Sequence, residues 1–192
     1  MIRAIIFDCF GVLITDALEG ILQTIHGRNP ALAEQVRGLI RASNKGIIDP
    51  AESTRQIAEL LGQSESDYRQ NIADGEHKNN EVLTYILRLR ESHKTAMLSN
   101  IGRGSLAKRF STDELKQYFD VVISSGDIGW AKPEPEAYQI AADRLGLRCT
   151  ECVFIDDREL FCEGARATGM QAIVYRDFAQ FSNDLGVLLS QS

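Results

Sequence analysis

A chain of 192 residues, 44% hydrophobic and 25% charged, can bury a full core as one domain or as one domain carrying a small insertion, and its composition excludes a disordered chain. A formal charge of −6 without any basic block argues against nucleic-acid and membrane-surface partners. No apolar run approaches the ~18 residues of a membrane span, and no apolar N-terminal stretch leads to a small-residue cleavage site, so the expected location is cytoplasmic.

The first element is a buried strand over residues 4–7, a short apolar run containing two isoleucines, followed at once by Asp8 and soon by Gly11. Some seventy helical residues come next. Leu18, Ile21, Leu22 and Ile25 make one apolar stripe, with a break at residues 27–30. Pro30 opens a second helix carrying Leu32, Val36, Leu39 and Ile40. Asp49 and Pro50 read as N-cap and first position of a third helix, which Gly62 ends. Residues 64–73 fit a fourth, shorter helix.

The strand–helix alternation then resumes: helix 80–91, strand 95–98, one or two short helices within 102–119, strand 121–123, a loop to Pro133, and helix 134–145. Strand 152–155, helix 160–168, strand 171–175 and a C-terminal helix complete the chain. This order implies right-handed βαβ units and an α/β fold, a three-layer Rossmann-like parallel sheet. The expected core comprises residues 1–14 and 81–192, with residues 15–80 as a small all-helical cap inserted after the first strand.

Cys9, Cys149, Cys152 and Cys162 are the four cysteines. The CxxC spacing of Cys149 and Cys152 has no second ligand pair, so all four are expected to be reduced, structural thiols.

In a parallel sheet all strands point one way, so the polar groups that follow them gather at one edge. Those groups are Asp8, Ser99 with Asn100, the loop to Lys132, and Asp156 with Asp157. Each has a plainer role when read singly: a turn, a helix cap, a solvated loop, or negative charge at a helix N-terminus. Their placement after successive strands is what points to a site. Three gathered carboxylates repel one another unless a cation relieves them. Oxygen ligands without a histidine pair or thiol cluster favour Mg²⁺. A metal, the Lys132 ammonium and the donors of Ser99 and Asn100 suit a phosphoryl group. Asp8, alone at its strand end, is the expected nucleophile, forming an aspartyl-phosphate.

Taken together, the chain resembles the haloacid dehalogenase superfamily, whose members are mostly phosphatases. The resemblance rests on Phe7-Asp8-Cys9-Phe10-Gly11-Val12-Leu13, on Leu98-Ser99-Asn100, on Gly129-Trp130-Ala131-Lys132-Pro133-Glu134-Pro135-Glu136-Ala137-Tyr138, and on Phe154-Ile155-Asp156-Asp157 with the Glu163 to Met170 segment. It implies a helical cap, catalytic roles for Asp8 and Lys132, and a phosphoryl site of Ser99, Asn100 and Lys132. Lys132 also steadies Asp8. It implies Mg²⁺ held by Asp8, the backbone carbonyl of Phe10, Asp156 and Asp157, with Asp157 a direct ligand. The implied substrate is a small phosphorylated metabolite.

Two positions depart from the family pattern. Phe10 stands where phosphatases of this family place a second Asp that protonates the leaving group, and Phe161 stands where Asn is common. An aromatic residue at position 10 also resembles the dehalogenase branch, which uses no metal but generally lacks the adjacent Asp156-Asp157 pair. A third reading is a catalytically weak member that binds a phosphorylated ligand or partner. His26, Arg28, Arg37, Arg41 and Lys45 are the candidate cations of the cap, and Arg103 is a candidate beside Asn100.

Overall fold

The computed structural model describes residues 1–191. Strand β1 (Ala4–Phe7) is fully buried. Four helices follow: α1 (Ala17–Arg28), α2 (Pro30–Asn44), α3 (Pro50–Leu60) and α4 (Glu65–Gly75). Each starts on a side-chain cap, supplied by Asp16, Asn29, Asp49 and Ser64 in turn, which satisfies an otherwise orphaned N–H of the first turn. Asn29 also ends α1. The first helix therefore runs through Gly27 and Arg28, past the break expected there, because the chain reverses only at the residue that caps both helices.

The remaining elements are α5 (Asn80–Leu89), β2 (Lys94–Ser99), a 3-10 turn at Ser105–Lys108, α6 (Thr112–Tyr118), β3 (Val121–Ser124) and the single turn α7 (Ser125–Ile128). They continue with α8 (Pro135–Leu145), β4 (Cys152–Asp156), α9 (Glu159–Ala167), β5 (Gln171–Val174) and α10 (Phe178–Ser190). The turn α7 lies in the stretch read as loop. It closes on Gly129 at φ +77°, a conformation that glycine adopts without strain.

The sheet is parallel throughout in the order β3-β2-β1-β4-β5. β1 is central: Phe7 stands beside Met97 of β2 and Ile155 of β4. Side chains alternate across a strand. Ile5 and Phe7 join the core layer of Leu13, Ile86, Phe110 and Phe181, while Ala4 and Ile6 join the opposite layer of Leu98, Tyr138 and Phe154. Helices thus cover both faces, giving the three-layer α/β architecture.

Helices α1 to α4 have an apolar cluster of their own, built on Leu22, Val36, Ile57, Ala58 and Tyr68. The chain enters and leaves this unit through one neck. Ile14 and Lys78 form an antiparallel bridge, and the Thr15 hydroxyl donates to the Gly75 carbonyl at 2.5 Å while accepting from the His77 N–H at 2.8 Å. The neck leaves the sheet at the carboxyl end of β1, above the strand ends. Among the described residues no helix is long and apolar enough to cross a membrane.

Candidate active site

Register explains why the polar residues meet. Asp8 extends β1 by one residue, its N–H donating to the Ile155 carbonyl at 2.8 Å, which sets it beside Asp156, the last residue of β4. Ser99 is the last residue of β2 on the other side. Lys132 comes from the loop between α7 and α8. Its backbone is clamped by the Asn100 carboxamide, which accepts from the Lys132 N–H at 2.8 Å and donates to the Lys132 carbonyl at 2.8 Å. This uses both ends of the Asn100 side chain. The clamp takes one of the two amide N–H groups and fixes the lysine, leaving the second N–H for the expected phosphoryl contact.

The Lys132 ammonium lies between two carboxylates, 2.7 Å from Asp8 Oδ1 and 2.6 Å from Asp156 Oδ2. Its side chain is fully buried, and the rings of Phe161 and Phe154 lie 5.0 and 5.1 Å from the charge. Asp8 Oδ1 also accepts from the Cys9 N–H at 2.6 Å, and Asp156 Oδ1 accepts from the Arg158 N–H at 2.9 Å. Burial and then the Asp156 charge push the Asp8 carboxyl well above the usual range, against the pull of Lys132. For Lys132, burial disfavours the charge, but Asp156 and Asp8 outweigh it and hold the ammonium above its usual value. The Cys9 thiol is raised by burial and then by Asp8, so it is no rival nucleophile.

Asp157 is the third carboxylate, exposed at the rim. One oxygen from each of Asp8, Asp156 and Asp157 lies within 4.8 Å of the others. Desolvation, then the charges of Asp156 and Asp16, push the Asp157 carboxyl up to about 6. One lysine thus faces three carboxylates, and an all-oxygen donor set with unrelieved negative charge fits a hard divalent cation such as Mg²⁺. Gly11 belongs to this fit. Its φ is +82°, and a Cβ there would lie 2.4 Å from the Asp157 carboxyl carbon, so only glycine lets the loop pass under that side chain. The Ser99 hydroxyl, fully buried, has no hydrogen-bond partner among the described residues. Native proteins rarely leave such a group orphaned without a ligand or water to take it up.

Phe10 lies at the cavity wall beneath a pair that no local sequence pattern announces. The Arg109 guanidinium is 5.1 Å from the Phe10 ring centre. Its Nε and Nη2 both donate to Glu76 Oε1, at 3.1 and 2.6 Å. Glu76 follows α4 and Arg109 follows the 3-10 turn, 33 residues apart, so only the tertiary fold joins them.

Asp8, Phe10, Asn100 and Lys132 border a cavity of about 910 Å³ roofed by the four-helix unit. Of the candidate cations, Arg37, Arg41 and Lys45 line it, while His26 and Arg28 lie elsewhere, exposed in the last turn of α1. Arg103 is exposed and paired with Asp127 at 3.3 Å. The four cysteines are free thiols, and burial pushes that of Cys152 up to about 12.

The family model for haloacid dehalogenase-like hydrolases matches residues 2–169. The phosphatase MT3486 of Mycobacterium tuberculosis is 52% identical over 58 residues, 30% of this chain and 27% of that protein. The matches to several curated relatives are similarly local, but a D-ribitol-5-phosphate phosphatase of Bacteroides thetaiotaomicron aligns over 99% of this chain and 100% of its own length at 23% identity. A HAD family enzyme of the same bacterium, solved in complex with magnesium and inorganic phosphate, superposes with a TM-score of 0.75 at 25% identity, covering 94% of this chain and 99% of that one.

Proposed function

The chain belongs to the haloacid dehalogenase-like hydrolases, and from that premise we propose that it is a Mg²⁺-dependent phosphatase acting on a small phosphorylated metabolite, with Asp8 as nucleophile. The observation that carries this reading is the Asp8 carboxylate, buried beside Asp156, tethered through Oδ1 by Lys132, and bordering a cavity large enough for an organic substrate. The likeness to phosphatases over both local and full-length alignments supports the reaction class.

In the proposed reaction a carboxylate oxygen of Asp8 attacks phosphorus. The bond from phosphorus to the leaving oxygen breaks, and its electron pair departs with that oxygen. Water then attacks the phosphorus of the acyl phosphate and loses its proton to solvent, releasing orthophosphate and restoring the Asp8 carboxylate. The Lys132 ammonium, the unpaired Ser99 hydroxyl and the second amide N–H of Asn100 receive phosphoryl oxygens, and Asn100 also positions Lys132 through its clamp. Asp8, Asp156, Asp157 and the Phe10 carbonyl would hold Mg²⁺, which supplies positive charge to the phosphoryl oxygens and screens the carboxylates. Residues 15–80 act as the cap that shapes the leaving-group side.

Hydrolysis of p-nitrophenyl phosphate, whose leaving group scarcely needs a proton, tests this reading. Turnover is expected with Mg²⁺ and expected to vanish with chelator or in Asp8→Asn. A folded, Mg²⁺-binding protein without turnover would overturn the phosphatase reading in favour of a ligand-binding role. The aromatic Phe10 favours a second reading, dehalogenation. That reading predicts halide release from a 2-haloacid that survives chelation.

A further inference from the structure

We propose that the cavity selects phosphomonoesters whose leaving group is an apolar, weakly basic hydroxyl compound of the aryl type, in preference to sugar phosphates. This rests on the phosphatase reading and adds the leaving group to it. At about 910 Å³ the cavity sits near the top of the ~300–1,000 Å³ range that encloses drug-sized ligands. The four-helix unit contributes an apolar patch to the wall: Leu18, Leu22, Ile40, Ile57, Ile72 and the ring of Tyr68 line it.

Several polar groups bordering the cavity already have partners. Arg37 is paired with Glu19 at 3.8 Å, Lys45 with Glu134 at 2.6 Å, and Arg109 with Glu76 at 2.6 Å. The Ser53 and Thr54 hydroxyls donate to the carbonyls of Leu39 and Pro50, at 3.3 and 2.8 Å. A sugar would bring hydroxyls against these apolar side chains, and burying them there unpaired is unfavourable. An apolar body meets no such penalty and gains from leaving water.

Chemistry at the phosphorus points the same way. The Phe10 ring cannot protonate a leaving oxygen. When the phosphorus–oxygen bond breaks, the electron pair therefore departs on an oxyanion that takes its proton from solvent afterwards. A phenolate, with a conjugate-acid pKa near ~10, bears that charge far better than an alkoxide, whose conjugate acid lies nearer water at ~15.7.

The test compares kcat/KM for phenyl phosphate, 4-butylphenyl phosphate and glucose 6-phosphate with Mg²⁺ present. The two phenols are nearly equally basic, so their ratio reads the apolar wall alone. The expected order is 4-butylphenyl above phenyl by about tenfold or more, through partial burial of four carbons, with glucose 6-phosphate lowest. Ile72→Asn and Ile40→Asn should each bring the butyl-to-phenyl ratio towards one. Equal values for the two aryl esters, or a higher value for glucose 6-phosphate, would overturn the inference while leaving the phosphatase reading intact. Turnover of none of the three alongside p-nitrophenyl phosphate hydrolysis would overturn the inference alone, and failure of all four substrates would overturn both; the wild-type series decides even if a variant fails to fold.

Discussion

At position 10 a phenylalanine ring, with the Arg109 guanidinium 5.1 Å from its centre, occupies the place two residues beyond Asp8, the proposed nucleophile. A carboxylic acid there would donate a proton to the departing oxygen, help worth ~10²–10⁴-fold for a basic leaving group and little for an acidic one. Phe10→Asp is therefore expected to raise turnover of an alkyl phosphate by about 10²-fold while changing p-nitrophenyl phosphate hydrolysis by less than about threefold. A steady-state comparison of the two esters checks this, and equal effects on both would show that Phe10 does not limit proton transfer. The new carboxylate would be a fourth acid beside Asp8, Asp156 and Asp157, and Arg109, already paired with Glu76, relieves it only in part. Asp8, Ser99 and the Asp156-Asp157 pair were placed at one edge from sequence because each sits at the end of a strand, and Lys132 because its loop follows the next strand. The Asn100 clamp, the Arg109–Glu76 pair and the Ser99 orphan were not, because their partners or lack of partners arise from residues far apart in the chain.

Among the elements, α5 carries a load that its amphipathic pattern does not reveal. Its N-cap, Asn79, accepts from the Val82 N–H at 3.3 Å. The same carboxamide donates to the Val12 carbonyl at 3.1 Å and to the Tyr175 hydroxyl at 2.8 Å. One side chain thus ties the helix to the loop that follows Asp8 and to the end of β5. Asn79→Ala removes a cap worth ~1 kcal/mol and two further hydrogen bonds worth ~0.5–1.5 kcal/mol each, so a loss of about 2–4 kcal/mol is expected in chemical denaturation. Asn79→Asp, which keeps the cap acceptor and loses the donors, should recover only the capping share. If both variants unfold like the wild type, the carboxamide does not couple these elements. The Asp49 cap was readable because capping is local, and strand positions because short apolar runs bounded by turns are local too. The strand order and the turn α7 were not, since order depends on which strands pair across the sheet and α7 is a single turn, too short to show a periodic pattern.

Across the whole molecule, the site sets how stability depends on pH between about 4.5 and 7. Carboxyls held low, such as Glu52 by its hydrogen bonds from Arg55 and Glu151 by those from the Arg148 backbone and Arg3, both at about 2, favour the fold as pH rises only near the unfolded value at the low end of that window. Asp8, Asp16 and Asp157 are instead raised, each chiefly by burial, with Asp157 at about 6. A carboxyl raised in the folded state keeps its proton where the unfolded chain has lost it. The folded protein then binds more protons, and stability falls as pH rises from the unfolded value near ~4 towards the folded one. With chelator present, the melting temperature is therefore expected to decline between pH 5 and pH 7. Because Asp157 lies at the rim, where solvent screens it, its share is about 1 kcal/mol, which is ~2–4 °C for a chain of this size. Mg²⁺ binds the ionised carboxylates and competes with their protons, so it should stabilise the protein more at pH 7 than at pH 5 and flatten or reverse the decline. Calorimetry at the two pH values, with chelator and with Mg²⁺, separates the cases. A melting temperature that rises with pH in chelator would mean that Lys132 already balances the carboxylates, and the electrostatic support for a resident cation would fall with it.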